Sequence, residues 1–413
     1  MAAGPAQTTP SMPTRKDDID IGASRGAALK AALLAFMWLR LNASAAAALA
    51  VVLFSQPSDL PAHRQFVAPP LWSASGIDVG ALRFYLVDVW ARWDTNWYVS
   101  VARDGYRPGD GSSYRPPLYP AAIRSLSYPL GGDYLLAALA VSNATALGAF
   151  YLLARLGQQM GVSAGGPLYW LALTPTAFFF VAGYAESLFL LLALLAFREG
   201  FAGRLATAGA LASLATLTRW QGVALAPALV VLAARNLPLD LRRWHEWVAS
   251  WPRLLAAGLP GLAFVAFAAY QSLSTGESGG VVGSTVAHWG FVYAWPWVVV
   301  GQAVGGLASG SARLIEYLEM LALLVALPLS IVAARRMHLA YGVYLAATWT
   351  LYLTHVSSIS PLTSLARLVI LLFPVYLLRP SSSLERTLRA LGLAAMPLSW
   401  LLIMAFALHL WVG

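Results

Sequence analysis

The chain has 413 residues, of which 59% are apolar and 11% are charged, and its formal net charge is +9. Soluble domains carry roughly 25% charged residues, so this composition excludes a water-exposed globular protein. Cysteine is absent, which excludes disulfide bonds, thiolate nucleophiles and cysteine-ligated metals.

Apolar runs recur along the whole chain and predict an all-α polytopic membrane protein with one domain at 27–413. A spanning helix needs about 20 apolar residues and satisfies its own backbone hydrogen bonds in lipid. We predict about eleven transmembrane helices, at residues 28–54, 133–154, 167–183, 185–198, 204–218, 221–234, 254–273, 312–333, 338–356, 363–378 and 389–411.

The N-terminal residues 1–26 are rich in Pro, Ser, Thr and Asp, and we expect a disordered cytoplasmic tail there. Small residues within 27–54 could mark a signal-peptide cleavage site. The apolar stretch is longer than the roughly 7–15 residues of a signal core, so a first transmembrane helix is the better prediction. Arg40 lies in its inner half, and we expect its side chain to snorkel towards the cytoplasm.

Basic residues predict the orientation of the helices. Lys and Arg concentrate in the connections on the side of the N-terminus, which the positive-inside rule places in the cytoplasm. The same rule accounts for much of the net positive charge. The lipid bilayer is therefore an expected partner and nucleic acid is not.

The first extracytoplasmic loop, about 55–132, breaks this rule. Seven arginines lie in it: Arg64, Arg83, Arg92, Arg103, Arg107, Arg115 and Arg124. The planar guanidinium pairs well with phosphate oxygens, so the loop suits an anionic, lipid-linked ligand. A loop that rests on anionic lipid headgroups is the alternative.

Within this loop, "ARWDTNWYVSVARDGYR" predicts an amphipathic helix at the membrane surface. Trp93, Trp97 and Tyr98 are residues that favour the headgroup region. Residues 94–96 are typical of a helix start, and Gly105 is typical of a helix end in the left-handed conformation.

Asp94 is the candidate for chemistry in this segment. Asp94 and Asp104 are ten residues apart, which separates them by about 80° around a helix, so they do not form a stacked pair. Aromatic residues surround Asp94 in the sequence and make it the better candidate. A simple helix-capping role for Asp94 is the alternative.

Further polar residues fall at the same end of the predicted bundle. They are Tyr184 and Glu186 between two apolar helices, Arg219 near Gly222, His288 in a second outward loop at about 274–311, His355 at a helix end, and Arg367 about one turn into a helix. An intramembrane ionisable residue is costly and predicts a functional site. Each has an alternative, since an arginine can snorkel and a histidine can bind a carbonyl. Together they predict a polar site at the extracytoplasmic face.

At these residues the sequence resembles the PIG-V family of GT-C membrane mannosyltransferases, which includes the enzyme that adds the second mannose to GPI precursors. The matching residues, over about 90–375, are Trp93, Asp94, Trp97, Tyr98, Gly105 and Tyr106; Pro117 to Pro120, with Tyr119; Phe178 to Phe180, Tyr184, Glu186, Ser187, Leu188 and Phe189; Arg219 and Gly222; and Arg367, Phe373 and Pro374. Two segments depart from the pattern, Tyr114-Arg115-Pro116 and Trp220-Gln221.

The resemblance implies transfer of a sugar, expected to be mannose, from a polyprenyl-phosphate donor to a glycan or glycolipid acceptor, with inversion. Such chemistry needs a carboxylate base and cations for the departing phosphate. We assign Asp94 as base and Arg219, Arg367 and His288 to the donor phosphate. The expected substrate-binding residues are Glu186, Tyr184, Trp93, Trp97, Tyr98, Tyr119, Arg115 and His355. No metal or cofactor is expected, since the predicted extracytoplasmic loops contain no metal-ligand spacing and no DxD motif.

A transporter or flippase of polyprenyl-linked lipids is the alternative function. Secondary transporters also combine many helices with buried charges, but they bind near the bilayer midplane between repeated halves. The sequence shows no internal repeat, and its polar residues lie towards one face. These features favour the enzyme.

Overall fold

The computed structural model describes residues 15–54, 82–235, 237, 244–276, 280–379 and 392–412, with only the backbone for 15–23 and 280–282. Its helices, in chain order, are α1 Arg15–Leu53, α2 Leu82–Leu86, α3 Asp94–Asp104, α4 Leu118–Ser127, α5 Tyr134–Gln159, α6 Gly166–Leu173, α7 Glu186–Phe201, α8 Leu205–Thr218, α9 Leu225–Ala234, α10 Trp244–Ala249, α11 Trp251–Thr275, α12 Gly280–Trp289, α13 Pro296–Ala308, α14 Leu314–Arg336, α15 Leu339–Tyr352, α16 Leu365–Leu368 and α17 Met396–Ala407. Two short strands, β1 Val292–Tyr293 and β2 His355–Val356, pair antiparallel with Val292 opposite Val356.

The described residues are almost entirely helical, which is consistent with the predicted all-α membrane protein. Within the described residues, four helices are long and apolar enough to cross a membrane: Ser24–Leu53 within α1, α5, α11 and α14. Four shorter apolar helices also occur: Leu205–Thr218, Trp220–Ala234, Pro296–Ala308 and Gly392–Ala407. The predicted number of eleven spans stays a prediction.

Helix α1 begins earlier than predicted. It starts at Arg15, so residues 15–26 are helical rather than a disordered tail, while 1–14 lie outside the described residues. Further along, α1 fully buries Ala43, Ala46 and Ala50. Such small residues allow helices to approach closely in a membrane, and α1 contacts α5 and α17.

Two predicted spans, 167–183 and 363–378, are not continuous helices. Helix α6 ends at Leu173, because Thr174 precedes a proline and takes an extended conformation, with ψ of 123°. The segment 363–378 contains only the four-residue α16 and short 3₁₀ turns. Pro374 lies in the last of these turns and lacks the N–H that a continuing α-helix needs.

Arg40 does not snorkel to the cytoplasm as predicted. Its guanidinium donates to the carbonyl of Val181 at 3.0 Å and to that of Leu86 at 3.1 Å, and it lies over the Trp90 ring. Val181 follows the end of α6, in an interrupted segment whose carbonyls lack regular helical partners. Arg40 therefore ties α1 to this irregular backbone, since a buried unpaired carbonyl is unfavourable.

Candidate active site

Five buried side chains form one ion-pair network, named here the ionic cluster: Asp94, Arg115, Glu186, Arg219 and Arg367. The Asp94 carboxylate accepts from Arg115 at 2.8 Å and from Arg367 at 2.7 Å. The Glu186 carboxylate accepts from Arg219 at 2.6 Å and lies 3.4 Å from Nε of Arg367. Arg367 thus connects two acids that are far apart in the sequence.

Both acids stand at the first residue of a helix. Asp94 begins α3, and Glu186 begins α7. The positive end of a helix dipole favours a carboxylate there. Trp93 occupies the N-cap position, and both carboxylate oxygens of Asp94 accept from arginines, so the capping alternative is wrong. The helix ends at Asp104 as predicted, and Asp104 pairs with Arg103 and Arg107 instead of with Asp94.

The backbone just before Asp94 has an uncommon conformation. Trp93 has a φ of +50°, which is rare for a bulky residue and costs on the order of 1–3 kcal/mol. The Asp94 N–H then donates to the Tyr184 hydroxyl at 3.3 Å. This strained turn and this hydrogen bond aim the carboxylate into the ionic cluster.

Arg219 is placed by a tight turn after α8. The residue is extended, with φ of −148° and ψ of 129°, and its carbonyl accepts from the Gly222 N–H at 2.8 Å. A Cβ on Gly222 would lie 2.4 Å from the backbone nitrogen of Thr216. The chain therefore approaches itself closely at Gly222, and only glycine fits there.

Glu319 holds the segment that carries Arg367, and the sequence prediction missed it. This buried acid of α14 accepts from the Ser364 N–H at 2.7 Å and from the Ser360 hydroxyl. Ser364 has a φ of +63°, and the Arg367 N–H donates back to its carbonyl at 3.0 Å. Thr176 adds a hydrogen bond to the Ala366 carbonyl at 2.7 Å. An acid within the apolar run of 314–333 was the available signal.

Aromatic rings cover the cluster on the side of Arg115. Its guanidinium lies 5.0 Å from the ring centre of Trp289, 5.2 Å from Tyr114 and 5.5 Å from Tyr98. We call the group around it the aromatic wall, which consists of Trp97, Tyr98, Tyr114, Trp220, Trp289, Phe291 and His355. Flat rings near a buried cation stabilise it and also offer stacking surfaces to a sugar.

Two predicted residues lie in the wall or beside it. His355 packs on Phe291 with ring centres 4.8 Å apart. His288 lies against Gly111, where an added Cβ would come within 3.1 Å of it, and the next residue, Trp289, covers Arg115. The predicted phosphate role of His288 stays a prediction.

Tyr119 and Trp93 lie outside the cluster. Tyr119 packs behind Tyr98 at 4.8 Å and is hydrogen-bonded to the Ala138 carbonyl and the Ser142 hydroxyl. It is fully buried in the layer behind the wall, and its predicted substrate contact stays a prediction. Trp93 packs edge-on against Trp411 at 5.1 Å.

The ionic cluster carries an excess of positive charge, with three guanidiniums against two carboxylates. Burial by itself raises the pKa of Asp94, but the charges of Arg115 and Arg367 outweigh it and hold the pKa at about 2. Among the described residues, Glu186 Oε2, Arg115 Nε and Arg219 Nε are buried without a hydrogen-bond partner. The cluster therefore has capacity for an anionic, hydrogen-bonding ligand.

No candidate metal centre accompanies the cluster. Within the part of the chain that the structure describes, no three His, Asp or Glu side chains group as metal ligands do. The expectation of a metal-independent reaction stays a prediction. The guanidiniums are the cations that the site itself supplies.

Comparison with known proteins gives no match. No family model, no characterised protein and no solved structure matches this chain. The resemblance to the PIG-V family stays a prediction from the motifs. Function must be inferred from the ionic cluster and the aromatic wall.

Proposed function

We propose that this chain is an integral-membrane, inverting glycosyltransferase with a polyprenyl-phosphate sugar as donor and a glycan or glycolipid as acceptor. The active site would lie at the extracytoplasmic face. One observation carries the proposal: a carboxylate at a strained turn is buried beside three guanidiniums that exceed the nearby acids in charge. This arrangement unites a base with a phosphate site.

The donor phosphate would bind to the arginines. Buried charge without compensation is costly, so the net positive charge of the cluster favours an anion. A lipid phosphodiester carries a single negative charge, which matches this excess. Arg115, Arg219 and Arg367 can each donate to phosphate oxygens, and they would stabilise the charge that develops on the departing lipid phosphate.

Asp94 would act as the general base. The acceptor hydroxyl oxygen attacks the anomeric carbon from the face opposite the lipid phosphate, and the new glycosidic bond forms as the bond to phosphate breaks. The electron pair of that bond leaves with the phosphate, and the hydroxyl proton moves to the Asp94 carboxylate. The attack from the opposite face inverts the anomeric centre.

Donor binding would also strengthen the base. With Arg115 and Arg367 both bound, Asp94 has a pKa of about 2 and accepts a proton poorly. A phosphate that shares these arginines weakens their hold on the carboxylate, and the pKa of Asp94 then rises. The base would become effective only when the donor is in place.

Sugar recognition would involve Glu186 and the aromatic wall. Glu186 Oε2 can accept from a sugar hydroxyl while Oε1 keeps Arg219. Trp97 and Tyr98 offer faces and edges for the pyranose ring, and Trp289 covers the same region. Mannose is the expected sugar from the PIG-V resemblance.

Release of lipid phosphate by the purified protein tests the proposal. We expect polyprenyl-phosphomannose and a mannosyl acceptor to yield free polyprenyl phosphate, and Asp94→Asn to lower the rate by about 10²-fold or more. The matched control is Asp104→Asn, the same change at the far end of α3, which should keep wild-type turnover. Equal turnover in wild type and Asp94→Asn would remove Asp94 as the base.

A flippase for polyprenyl-linked lipids is the second candidate. The observation in its favour is that three arginines could hold a lipid phosphate without any base. In reconstituted vesicles, a flippase would move labelled donor lipid across the bilayer without cleaving it, and Asp94→Asn would move it equally well. Cleavage that depends on Asp94 selects the enzyme.

A further inference from the structure

A second charged cavity lies at the other end of the bundle. Its volume is about 230 Å³, and Arg25, Arg155 and Arg198 line it from three different helices. Leu152 and Leu156 form part of an apolar wall beside these guanidiniums. The cavity lining therefore has a basic part and an apolar part.

The cavity lies far from the ionic cluster along each helix. Arg155 stands near the end of α5 and Arg198 near the end of α7, whereas Glu186 begins α7 at the cluster. Arg25 lies in the early part of α1. The positive-inside pattern predicts that this end faces the cytoplasm.

The guanidiniums of the cavity are only partly neutralised. Arg155 donates to two uncharged partners, the Ser24 hydroxyl at 2.8 Å and the Gln158 side chain at 3.1 Å. Arg198 pairs with Glu199 at 2.8 Å, but the same carboxylate also pairs with Arg204. These contacts orient the guanidiniums, and among the side chains that the structure describes they leave the cavity with excess positive charge.

We propose that this cavity binds the phosphate headgroup of an anionic membrane lipid, with an acyl chain along the leucines. Basic pockets between transmembrane helices on the cytoplasmic side are suited to anionic headgroups, because that leaflet is rich in them. The guanidinium fork matches phosphate oxygens, and apolar side chains beside it match a lipid tail. The site is separate from the proposed active site and does not depend on the glycosyltransferase proposal.

Lipid binding to the purified protein in nanodiscs tests this site. We expect the wild type to retain phosphatidylglycerol over phosphatidylcholine by about tenfold. The triple variant Arg25→Gln, Arg155→Gln, Arg198→Gln should lose this preference. A matched triple variant at Arg235, Arg335 and Arg336 removes the same charge elsewhere on the predicted cytoplasmic side and should keep it.

Three outcomes would overturn the proposal. They are an unchanged preference in the cavity variant, an equal loss in the matched control, and displacement by inorganic phosphate or glycerol phosphate as effective as by phosphatidylglycerol. The last would assign the cavity to a soluble phosphate. A variant with three Arg→Lys changes keeps the charge and should retain part of the preference, which separates lost binding from lost folding.

Discussion

At the scale of single residues, the site depends on how Asp94 is held. Its carboxylate is almost fully buried, and two guanidiniums neutralise it. Removing one partner of a buried ion pair is strongly destabilising, because the remaining charge stays buried without compensation. Asp94, the base of the proposed reaction, therefore also contributes to the stability of the fold through its negative charge.

The pH dependence of stability should report this double role. The folded pKa of Asp94 is about 2, below its ordinary value of 3.8, so its contribution is present above about pH 4 and is lost as pH falls towards 2. At pH 7, we expect Asp94→Asn to lower the free energy of unfolding by about 2 kcal/mol. Thermal unfolding in detergent from pH 7 to pH 3 measures it. A constant difference between the two proteins down to pH 3 would contradict the low pKa.

Glu319 should act on the proposed reaction through the position of Arg367. In Glu319→Gln, one side-chain oxygen can still accept a hydrogen bond and the other is lost. We therefore expect weaker binding of the donor lipid and slower transfer than in wild type. Glu319→Ala loses both oxygens and should show a larger effect. Donor affinity and turnover of the purified variants measure the effect. Glu316→Gln is the control, because Glu316 pairs only with the exposed Arg313 among the described contacts. Equal donor affinity in Glu319→Ala and wild type would remove this positioning role.

At the scale of elements, the cluster is built where helices are interrupted. Asp94 and Glu186 begin helices, Arg219 follows one, and Arg367 lies in the short α16. Irregular backbone at membrane depth is tolerated when it is buried in protein or lines a cavity. At the interruptions the backbone is not restricted to helical conformations, and this allows the four side chains to converge.

The turn after α8 gives the sharpest test of this construction. Gly222→Ala would push a Cβ into the backbone of Thr216, so we expect a loss of more than about 2 kcal/mol in unfolding free energy. Gly258→Ala is the matched control in α11, where an added Cβ meets nothing within 4 Å. That variant should be neutral or more stable by up to about 1 kcal/mol. Thermal unfolding compares the two, and equal stability would contradict the close approach.

The sequence predicted the long helices better than the interrupted ones. Helices α5, α11 and α14 follow apolar runs with few charges, and those runs determine them. In the apolar segment 363–378, α16 already ends at Leu368, before Pro374. In the equally apolar segment 167–183, Pro175 stops the helix at Leu173. Hydropathy does not register that effect.

The sequence predicted which charged residues come together in the site, but not which of them form ion pairs with each other. The placement of ionisable residues at one end of the spans predicted that Asp94, Glu186, Arg219 and Arg367 come together, and the structure confirms it. The Arg115 partner of Asp94 depends on how the loop folds back over 21 residues. No periodicity encodes that path. Local motifs therefore identified the charges but not their contacts.

At the scale of the whole molecule, the membrane orientation can be tested directly because the chain has no cysteine. Ser125 in α4 and Ser163 after α5 are both exposed, and each can be changed to Cys conservatively. In intact cells, an impermeant maleimide should label Ser125→Cys, and it should label Ser163→Cys only after permeabilisation. The reverse pattern would place the ionic cluster on the cytoplasmic side and contradict the proposed donor access.

The Arg40 contacts give α1 a structural role beyond anchoring the protein in the membrane. This helix donates to the carbonyls of Val181 and Leu86, and thereby supports the backbone that leads to Tyr184 and Asp94. An unrelated hydrophobic anchor could hold the protein in the bilayer equally well, yet it would remove the Arg40 donor from both oxygens and leave Asn143 as the side-chain donor to Val181. Swapping the first transmembrane segment for a generic one should therefore lower the rate of the proposed transfer while membrane insertion survives.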